Sequence, residues 1–437
     1  MRKDKEAMAP RYRDDEDFEY EYDEYEYDDY EYDEPRKKSS SGRSSSSSGK
    51  RKNSGNAVAS RSGSSSRKKT SSGGKKSSAK GSSGKKMSAK AKAKKKRKRI
   101  LLFVGEILLL AVMLLVLWGV TRTEKVGYLE IPEEEIVINE GVSEEQVEIM
   151  KGYRNVALFG VDSTVGALTK NTRSDTIMVA SINQDTKEIK LVSLYRDTFL
   201  NLGNDKYNKC NAAYASGGPK QAISMLNANL DLDISEFVTI GFAGLIDVID
   251  ALGGVPMDIT SAEITHLNSY QYCIAENLKR DYTPVTNTGM QVLDGMQATG
   301  YCRIRYTKGD DFRRTERQRD VLKAIMEKAK DVSPSQLVEI ANNVFEEVYT
   351  SFGLTEITEL LGEASQYRVV ADDGFPREDM RWTGNIGSPG DSIVPNDLVS
   401  NVSWLHEFLF DESGYVPSTE VQGYSDHITE VTNKYKR

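Results

Sequence analysis

Beyond position 150 the apolar residues of this chain gather into short unbroken blocks, separated by polar turns and by stretches of helical periodicity. Val156-Ala157-Leu158-Phe159-Gly160, Thr176 to Ile182 and Ile189 to Tyr195 are brief and rich in Val, Ile and Leu, which predicts strands buried on both faces. Helical patterns alternate with them: Pro219 to Leu230, Phe242 to Leu252 stopped by Gly253-Gly254, Gln291 to Gly300, and Phe312 to Lys330. Further along, Gln336 to Tyr349, Thr355 to Ser365 and Val402 to Phe410 read as helices and Tyr367 to Val370 as a strand, while Gly423 to Arg437 reads as a polar tail. The alternation predicts an α/β fold over residues 151–425, a single domain with a central mixed β-sheet flanked by helices, and leaves 426–437 as the tail.

The part before this domain is patterned differently. Ile100 to Val120 is an apolar run of 21 residues with a single charge, Glu106, long enough for a helix to cross a hydrocarbon core of about 30 Å. Lys94 to Arg99 precede it as six consecutive cations. The positive-inside rule keeps that block in the cytoplasm and places everything after Thr121 outside, so the expected location is the cell membrane, single-pass, with the N-terminus cytoplasmic and the folded domain extracellular. The apolar run is too long and too far from the start for a cleaved signal peptide. Glu106 is costly at that depth unless it is protonated or paired with another helix. Residues 121–150 are charged and end in a short helical pattern from Ser143 to Lys151, which suits a stalk.

Charge changes the picture of the N-terminal 99 residues. Residues 1–35 hold 16 Asp/Glu against 5 Lys/Arg, with Tyr alternating with acids from Tyr20 to Tyr32. Residues 36–99 hold 24 Lys/Arg and no acid among Ser and Gly. Such a segment has too little apolar surface to offset chain entropy and is read as a disordered tail. The whole chain is −7, so residues 100–437, with 30 basic and 50 acidic side chains, are strongly acidic. Clustered arginines there stand out against that background.

Those arginines occur with aspartates in five segments: Gly160-Val161-Asp162-Ser163, Arg173-Ser174-Asp175-Thr176, Tyr195-Arg196-Asp197-Thr198, Lys209-Cys210-Asn211-Ala212-Ala213-Tyr214, and Tyr301 through Arg319. Asp162 follows the first strand, Arg173 and Asp175 precede the second, and Arg196 and Asp197 follow the third, so all of them collect at one sheet edge. In Tyr301 to Tyr306, read as a strand, a period of two puts Arg303 and Arg305 on one face. The alternative for that pair is surface salt bridges with Asp310-Asp311. On the helix from Phe312, Arg314, Arg317, Gln318, Val321 and Ile325 share a face, and a buried guanidinium needs an anion, from the chain or from a ligand. Many fixed cations beside a few carboxylates suit a pyrophosphate held partly by metal and partly by guanidinium forks. Cys210, Cys273 and Cys302 permit at most one internal disulfide, with no pairing selected, and their spacing fits no zinc site.

The ordered set of five motifs, together with tail, span and outer domain, resembles the LytR-CpsA-Psr family, strongly over residues 150–330 and weakly over 331–425. The resemblance implies a phosphotransferase that moves a glycopolymer, such as wall teichoic acid or capsule, from a polyprenyl-pyrophosphate carrier to a hydroxyl of peptidoglycan. It implies Asp162 and Asp175 as Mg²⁺-associated positions, and Arg173, Arg196, Arg303, Arg305, Arg314 and Gln318 as pyrophosphate-binding ones. Lys209 and Arg317 join the expected binding set; Arg196, Asp197, Arg303 and Arg305 are the expected catalytic set, with Asp197 orienting the acceptor hydroxyl or taking its proton. Arg313 departs from the family pattern, which commonly has Gly there, and is expected to face solvent. A long lipid needs an apolar pocket, and the helices Pro219–Leu230 and Phe242–Leu252 read equally as its wall or as core. The expected partners are the lipid-linked polymer, peptidoglycan and the membrane, with no specific nucleic acid. The rival functions are a membrane sensor that binds the same lipid without turnover, a hydrolase of the pyrophosphate, and a nucleic-acid regulator resting only on the basic tail.

Overall fold

The computed structural model describes residues 127–437 apart from 133–134, 163–167, 170–171, 306, 308, 345–346 and 437. The tail over residues 1–99 and the expected span Ile100–Val120 lie outside the described residues. Among the described residues no helix is long and apolar enough to cross a membrane.

In chain order the elements are β1 (Gly127–Tyr128), α1 (Glu144–Met150), β2 (Tyr153–Val161), β3 (Ser174–Asn183), β4 (Glu188–Leu194), β5 (Phe199–Asn201), β6 (Tyr207–Lys209), α2 (Asn211–Leu230), β7 (Glu236–Ile240), α3 (Phe242–Ala251), β8 (Val255–Ile259) and α4 (Ser261–Leu278). They continue as β9 (Gly289–Leu293), α5 (Gly295–Tyr301), α6 (Asp310–Lys330), α7 (Pro334–Val344), β10 (Val348–Thr350), α8 (Leu354–Gly362), β11 (Arg368–Phe375), β12 (Arg381–Asn385), β13 (Asp391–Pro395), α9 (Leu398–Phe410) and α10 (Thr419–Thr432). Seven strands form one mixed sheet in the order β1-β10-β7-β2-β3-β4-β11. The three apolar blocks seen in the sequence are its central strands β2, β3 and β4, with β3 antiparallel to both neighbours.

Those strands are apolar throughout because both faces are covered. Ile177, Val179, Val192 and Leu194 pack with α2, α9 and α10 in the main core, whereas Ala180, Ile189 and Leu191 meet Leu322 and Met326 of α6 on the other side. A second apolar cluster joins α3, α4, α5 and the antiparallel β8–β9 pair to Val321 and Ala324 of α6. Helix α6 therefore touches both the sheet and the second cluster. Within α2 the backbone breaks at Gly217 and Gly218 and restarts at Pro219. Gly218 has φ of 68°, and a Cβ there would lie 2.2 Å from the carbonyl oxygen of Thr169, so only glycine fits. The apolar side chains of Pro219 to Leu230 are buried in the main core.

Several boundaries differ from the expectations, each for a packing reason. Residues 127–150 are no free stalk: β1 pairs with β10, and Ile131 and Met150 are buried in the main core. The polar tail expected from Gly423 is helix α10, whose Val421 and Ile428 are buried on one face, each contributing about 1.5–3 kcal/mol. The helix expected over Gln291–Gly300 is strand β9 followed by a shorter helix, because Asp294 caps α5 by accepting from Gln297 N. The helix expected over Gln336–Tyr349 stops at Val344, and Val348–Thr350 pair with β7 instead. Of the strand expected over Tyr301 to Tyr306, the described residues 301–305 form none. Residues 301–304 leave α5 through tight turns, with Arg303 N donating to Gly300 O and Ile304 N to Tyr301 O, and find no strand edge to join. All three cysteines are free thiols.

One buried carboxylate ties three distant segments together. Asp231, fully buried in a left-handed conformation at the end of α2, accepts from Asn139 Nδ2 at 2.7 Å, Tyr415 Oη at 2.9 Å, Ser418 N at 2.7 Å and Ser418 Oγ at 2.6 Å. Replacing it strands four buried donors and puts a Cβ-bearing residue other than Asn or Asp at positive φ. Asp231→Ala is expected to lower unfolding free energy by about 3 kcal/mol or more in urea titrations; a loss under about 1 kcal/mol would show that these hydrogen bonds do not hold the two ends of the domain to α2.

Candidate functional site

The site grows from the register of three antiparallel strands. Gly160 faces Thr176 across β2 and β3, and Val161 faces Ser174, so Asp162 leaves the sheet beside the point where Asp175 enters it. A Cβ on Gly160 would lie 2.9 Å from Thr176 Cβ, which explains why the first motif needs glycine there. Ile177 pairs with Leu194, so β4 delivers Arg196 and Asp197 to the same edge. The turn carrying them is pinned by the start of α2: Cys210 N donates to Thr198 O and Asn211 N to Arg196 O. The fourth motif is thus a clamp for the third. Burial pushes the Cys210 thiol up, and takes that of Cys302 up to about 12, so neither is a nucleophile at neutral pH.

At this edge four arginines and a lysine meet four aspartates. Arg196 Nη1 donates to Asp175 Oδ1 at 2.8 Å, while its Nε lies 3.4 Å from Asp197 and 3.5 Å from Asp311. Lys209 Nζ is 3.3 Å from Asp197. Arg305 reaches Asp311 at 3.4 Å and Asp175 at 3.9 Å, and Arg303 is 3.7 Å from Asp162. Arg314, buried from the first turns of α6, is 3.6 Å from Asp311 and donates to the Asp175 carbonyl at 3.3 Å. Only one of these carboxylate contacts has a short hydrogen-bond distance. Arg196 Nε and Arg314 Nε are buried without any hydrogen-bond acceptor. Donors of that kind cost about 1–3 kcal/mol each when unsatisfied.

The electrostatics follow from this crowding. Burial raises the Asp175 carboxyl, but Arg196, Arg314 and Arg305 outweigh it and hold it below the usual carboxylate range. Burial raises Asp162, with Arg303 opposing and the Asp175 charge adding, and the net shift is upward. Burial and then the charge of Arg196 push Arg314 down to about 10, still cationic at neutral pH. Burial opposes the charge on Arg196, yet Asp175, Asp197 and Asp311 keep its guanidinium firmly protonated. Asp162 and Asp175 are hard oxygen donors on adjacent strand ends, and a like charge nearby already disfavours ionisation of Asp162; this donor set fits Mg²⁺. Among the described residues no group of three or more His, Cys, Asp or Glu forms a closed metal cage.

The expected site residues do not all play one part. Asp162, Asp175, Arg196, Asp197, Lys209, Arg303, Arg305 and Arg314 come together. Arg173 is exposed beside Ser174 at the rim. Gln318 Nε2 donates to Cys302 O at 3.4 Å. Arg317 is a correction: nearly fully buried, it donates to Glu263 Oε1 at 2.9 Å, Ile304 O at 3.1 Å and Thr307 Oγ1 at 2.7 Å, and none of these bonds reaches the aspartates of the cluster. Its anion is Glu263 of the chain, 54 residues away, which no helical wheel reveals. Arg313 pairs with Glu316 near the surface, as its face predicts. Asp311 is the residue that reading the motifs missed as a member of the site; its place three residues before Arg314 at a helix start was the available signal. Phe242 and Tyr270 were also missed: the Arg303 guanidinium lies 4.6 Å and 5.4 Å from their ring centroids.

The sequence model of the LytR_cpsA_psr family matches residues 129–388. This chain belongs to the LytR-CpsA-Psr family. Among its relatives is the Enterococcus faecalis protein named polyisoprenyl-teichoic acid–peptidoglycan teichoic acid transferase TagU, 32% identical over 209 residues, 47% of this chain and 64% of that protein. Another is biofilm regulatory protein A of Streptococcus mutans, 32% identical over 230 residues, 49% of this chain and 54% of that protein. The chain thus matches between half and two thirds of the length of these relatives. The crystal structure of Bacillus subtilis TagT aligns over 65% of this chain and 92% of its own, with 20% identity and a TM-score of 0.44.

The depressed Asp175 carboxyl gives a pH test. Its folded pKa lies below the unfolded value of about 3.9, so its contribution to stability is complete above that pH and is lost as pH falls through the folded value. Asp175→Asn is expected to be less stable than wild type at pH 7, with the gap closing below about pH 4 in urea unfolding series; a gap that stays constant with pH would place its origin elsewhere than in the charge.

Proposed function

We propose that this protein is a phosphotransferase that moves an anionic glycopolymer from a polyprenyl-pyrophosphate carrier to a hydroxyl of peptidoglycan. The observation that carries the reading is the pair of buried, acceptorless donors, Arg196 Nε and Arg314 Nε, within a converged set of guanidiniums at one sheet edge. Family membership and the name of the Enterococcus faecalis relative support it. A diphosphate supplies the oxygen acceptors those donors lack, and the rings of Phe242 and Tyr270 beside Arg303 offer apolar surface to the carrier next to its charged end.

In this reading Arg196, Arg305 and Arg314 hold the diphosphate and neutralise charge that grows as the bond to the carrier phosphate breaks. Arg303 binds it from the aromatic side and Arg173 meets the polymer at the rim. Asp197, steadied by Lys209, orients the acceptor hydroxyl and takes its proton as the hydroxyl oxygen bonds to the sugar-bearing phosphorus. The carrier departs as its monophosphate. Mg²⁺, held by Asp162 and Asp175 when bound, would supply Lewis-acid polarisation of the phosphoryl oxygens. The domain would work outside the cell membrane, tethered by Ile100–Val120, where both lipid-linked donor and wall acceptor are met.

Detergent-purified full chain, given a labelled polyprenyl-pyrophosphate-linked polymer and peptidoglycan, is expected to form a phosphodiester-linked product. Arg196→Ala is expected to lower kcat/KM by about 100-fold or more. Chelation is expected to stop the reaction and added Mg²⁺ to restore it. Free polymer without linkage would replace transfer by hydrolysis, binding without any product would make the protein a sensor, and no binding at all would remove the diphosphate assignment.

A further inference from the structure

Arg317 and Gln318 sit on α6 one turn beyond Arg314, but their side chains turn toward the segment that follows α5. Gln318 Nε2 donates to Cys302 O, Arg317 Nη1 to Ile304 O and Arg317 Nη2 to Thr307 Oγ1. These acceptors alternate with Arg303 and Arg305, and Ile304 between them is fully buried in the second apolar cluster. Fixing the 302 and 304 carbonyls and the Ile304 side chain leaves Arg303 and Arg305 no choice but to project the other way, to Asp162 and to Asp175 and Asp311. The remaining donor, Arg317 Nε, goes to Glu263 Oε1. The other oxygen of Glu263 caps α4, accepting from Thr260 N at 2.9 Å and Thr260 Oγ1 at 2.8 Å. Helix α4 also carries Tyr270, whose ring lies beside Arg303.

We propose that Arg317 is a positioning residue: through the Ile304 carbonyl and the Thr307 hydroxyl it presents Arg303 and Arg305 to the diphosphate, and through Glu263 it fixes the aromatic wall of α4 against them. Two donors of one planar guanidinium serve the loop after α5 and the third serves the cap of α4, so the geometry of the loop, the helix cap and α6 is set together. Unbraced, residues 303 and 305 lie in a stretch of turns without sheet partners, and two like charges there repel each other out of the site. This inference rests on the proposed diphosphate site for its binding readout, and on geometry alone for a second readout.

The test uses the full chain in detergent and three variants. Thr307→Val removes one acceptor and keeps the buried ion pair. Arg317→Met with Glu263→Met replaces both charges of that pair together, which avoids leaving one of them buried alone. Arg313→Ala removes only a surface pair and is the control. Titration with inorganic pyrophosphate is expected to show about 5-fold weaker binding for Thr307→Val and about 10-fold or more for the double variant, with the control unchanged. Amide exchange at residues 302–305 is expected to accelerate in both, and in Thr307→Val by more than its modest fall in urea midpoint produces elsewhere in the domain. A fall in midpoint with unchanged affinity and unchanged exchange would make Arg317 merely structural and overturn the proposal, as would wild-type behaviour of Thr307→Val on every readout, whether or not the double variant folds. If wild type binds no pyrophosphate the proposed function fails, and unchanged exchange at 302–305 in Thr307→Val still decides this inference by itself.

Discussion

Like-charge repulsion is the constraint that the rest of the structure answers. Arg196, Arg303, Arg305 and Arg314 are brought to one edge of a sheet, where burial and then the charges of Arg196 and Arg305 lower Arg314. They remain there because Asp175 and Asp311 are shared among them and because their backbones are anchored elsewhere: Arg196 by the start of α2, Arg303 and Arg305 by the side chains of α6, Arg314 by the helix itself. Sharing two carboxylates among three guanidiniums keeps most contacts longer than a good hydrogen bond. The site's own carboxylates leave Arg196 Nε and Arg314 Nε without acceptors, and it is on these donors that the proposed diphosphate site rests.

This gives the fold a division of labour. The sheet and its main core set where the polar strand ends lie, and the second cluster of α3, α4, α5 and the β8–β9 pair sets how the loop after α5 approaches them. Helix α6 belongs to both, with Leu322 and Met326 on the sheet, Val321 on the second cluster, and Arg314 and Arg317 one turn apart at the seam. Two arginines three residues apart on one helix thus have different work. Arg314 has a buried Nε without an acceptor, whereas all three nitrogens of Arg317 have one, and the proposed division between a diphosphate-binding guanidinium and a bracing one rests on that difference.

Central strands were legible because burial on both faces leaves a continuous apolar run, and the helices because an apolar stripe repeats with the turn. The sheet edge shared by Asp162, Asp175, Arg196 and Asp197 could also be read, since strands of that length joined in succession alternate their ends. Misreadings cluster where local pattern and tertiary contact disagree. Arg303 and Arg305 alternate like strand residues, but their period comes from the buried Ile304 and from two backbone carbonyls taken by α6, not from a sheet. The polar surface of α10 hid two buried side chains at helical spacing, and the charged stretch after position 127 hid β1 and Asn139, whose partners lie roughly 90 or more residues away.

By itself the sequence determined the class of the fold, the side chains available for the chemistry and the edge at which most of them gather, because strand periodicity and charge at strand ends are local properties. Only the tertiary structure decided which arginines lack acceptors. That depends on whether a carboxylate such as Glu263 or Asp311 happens to arrive from another element, and a hydrogen bond across 54 residues leaves no trace in the spacing of either partner.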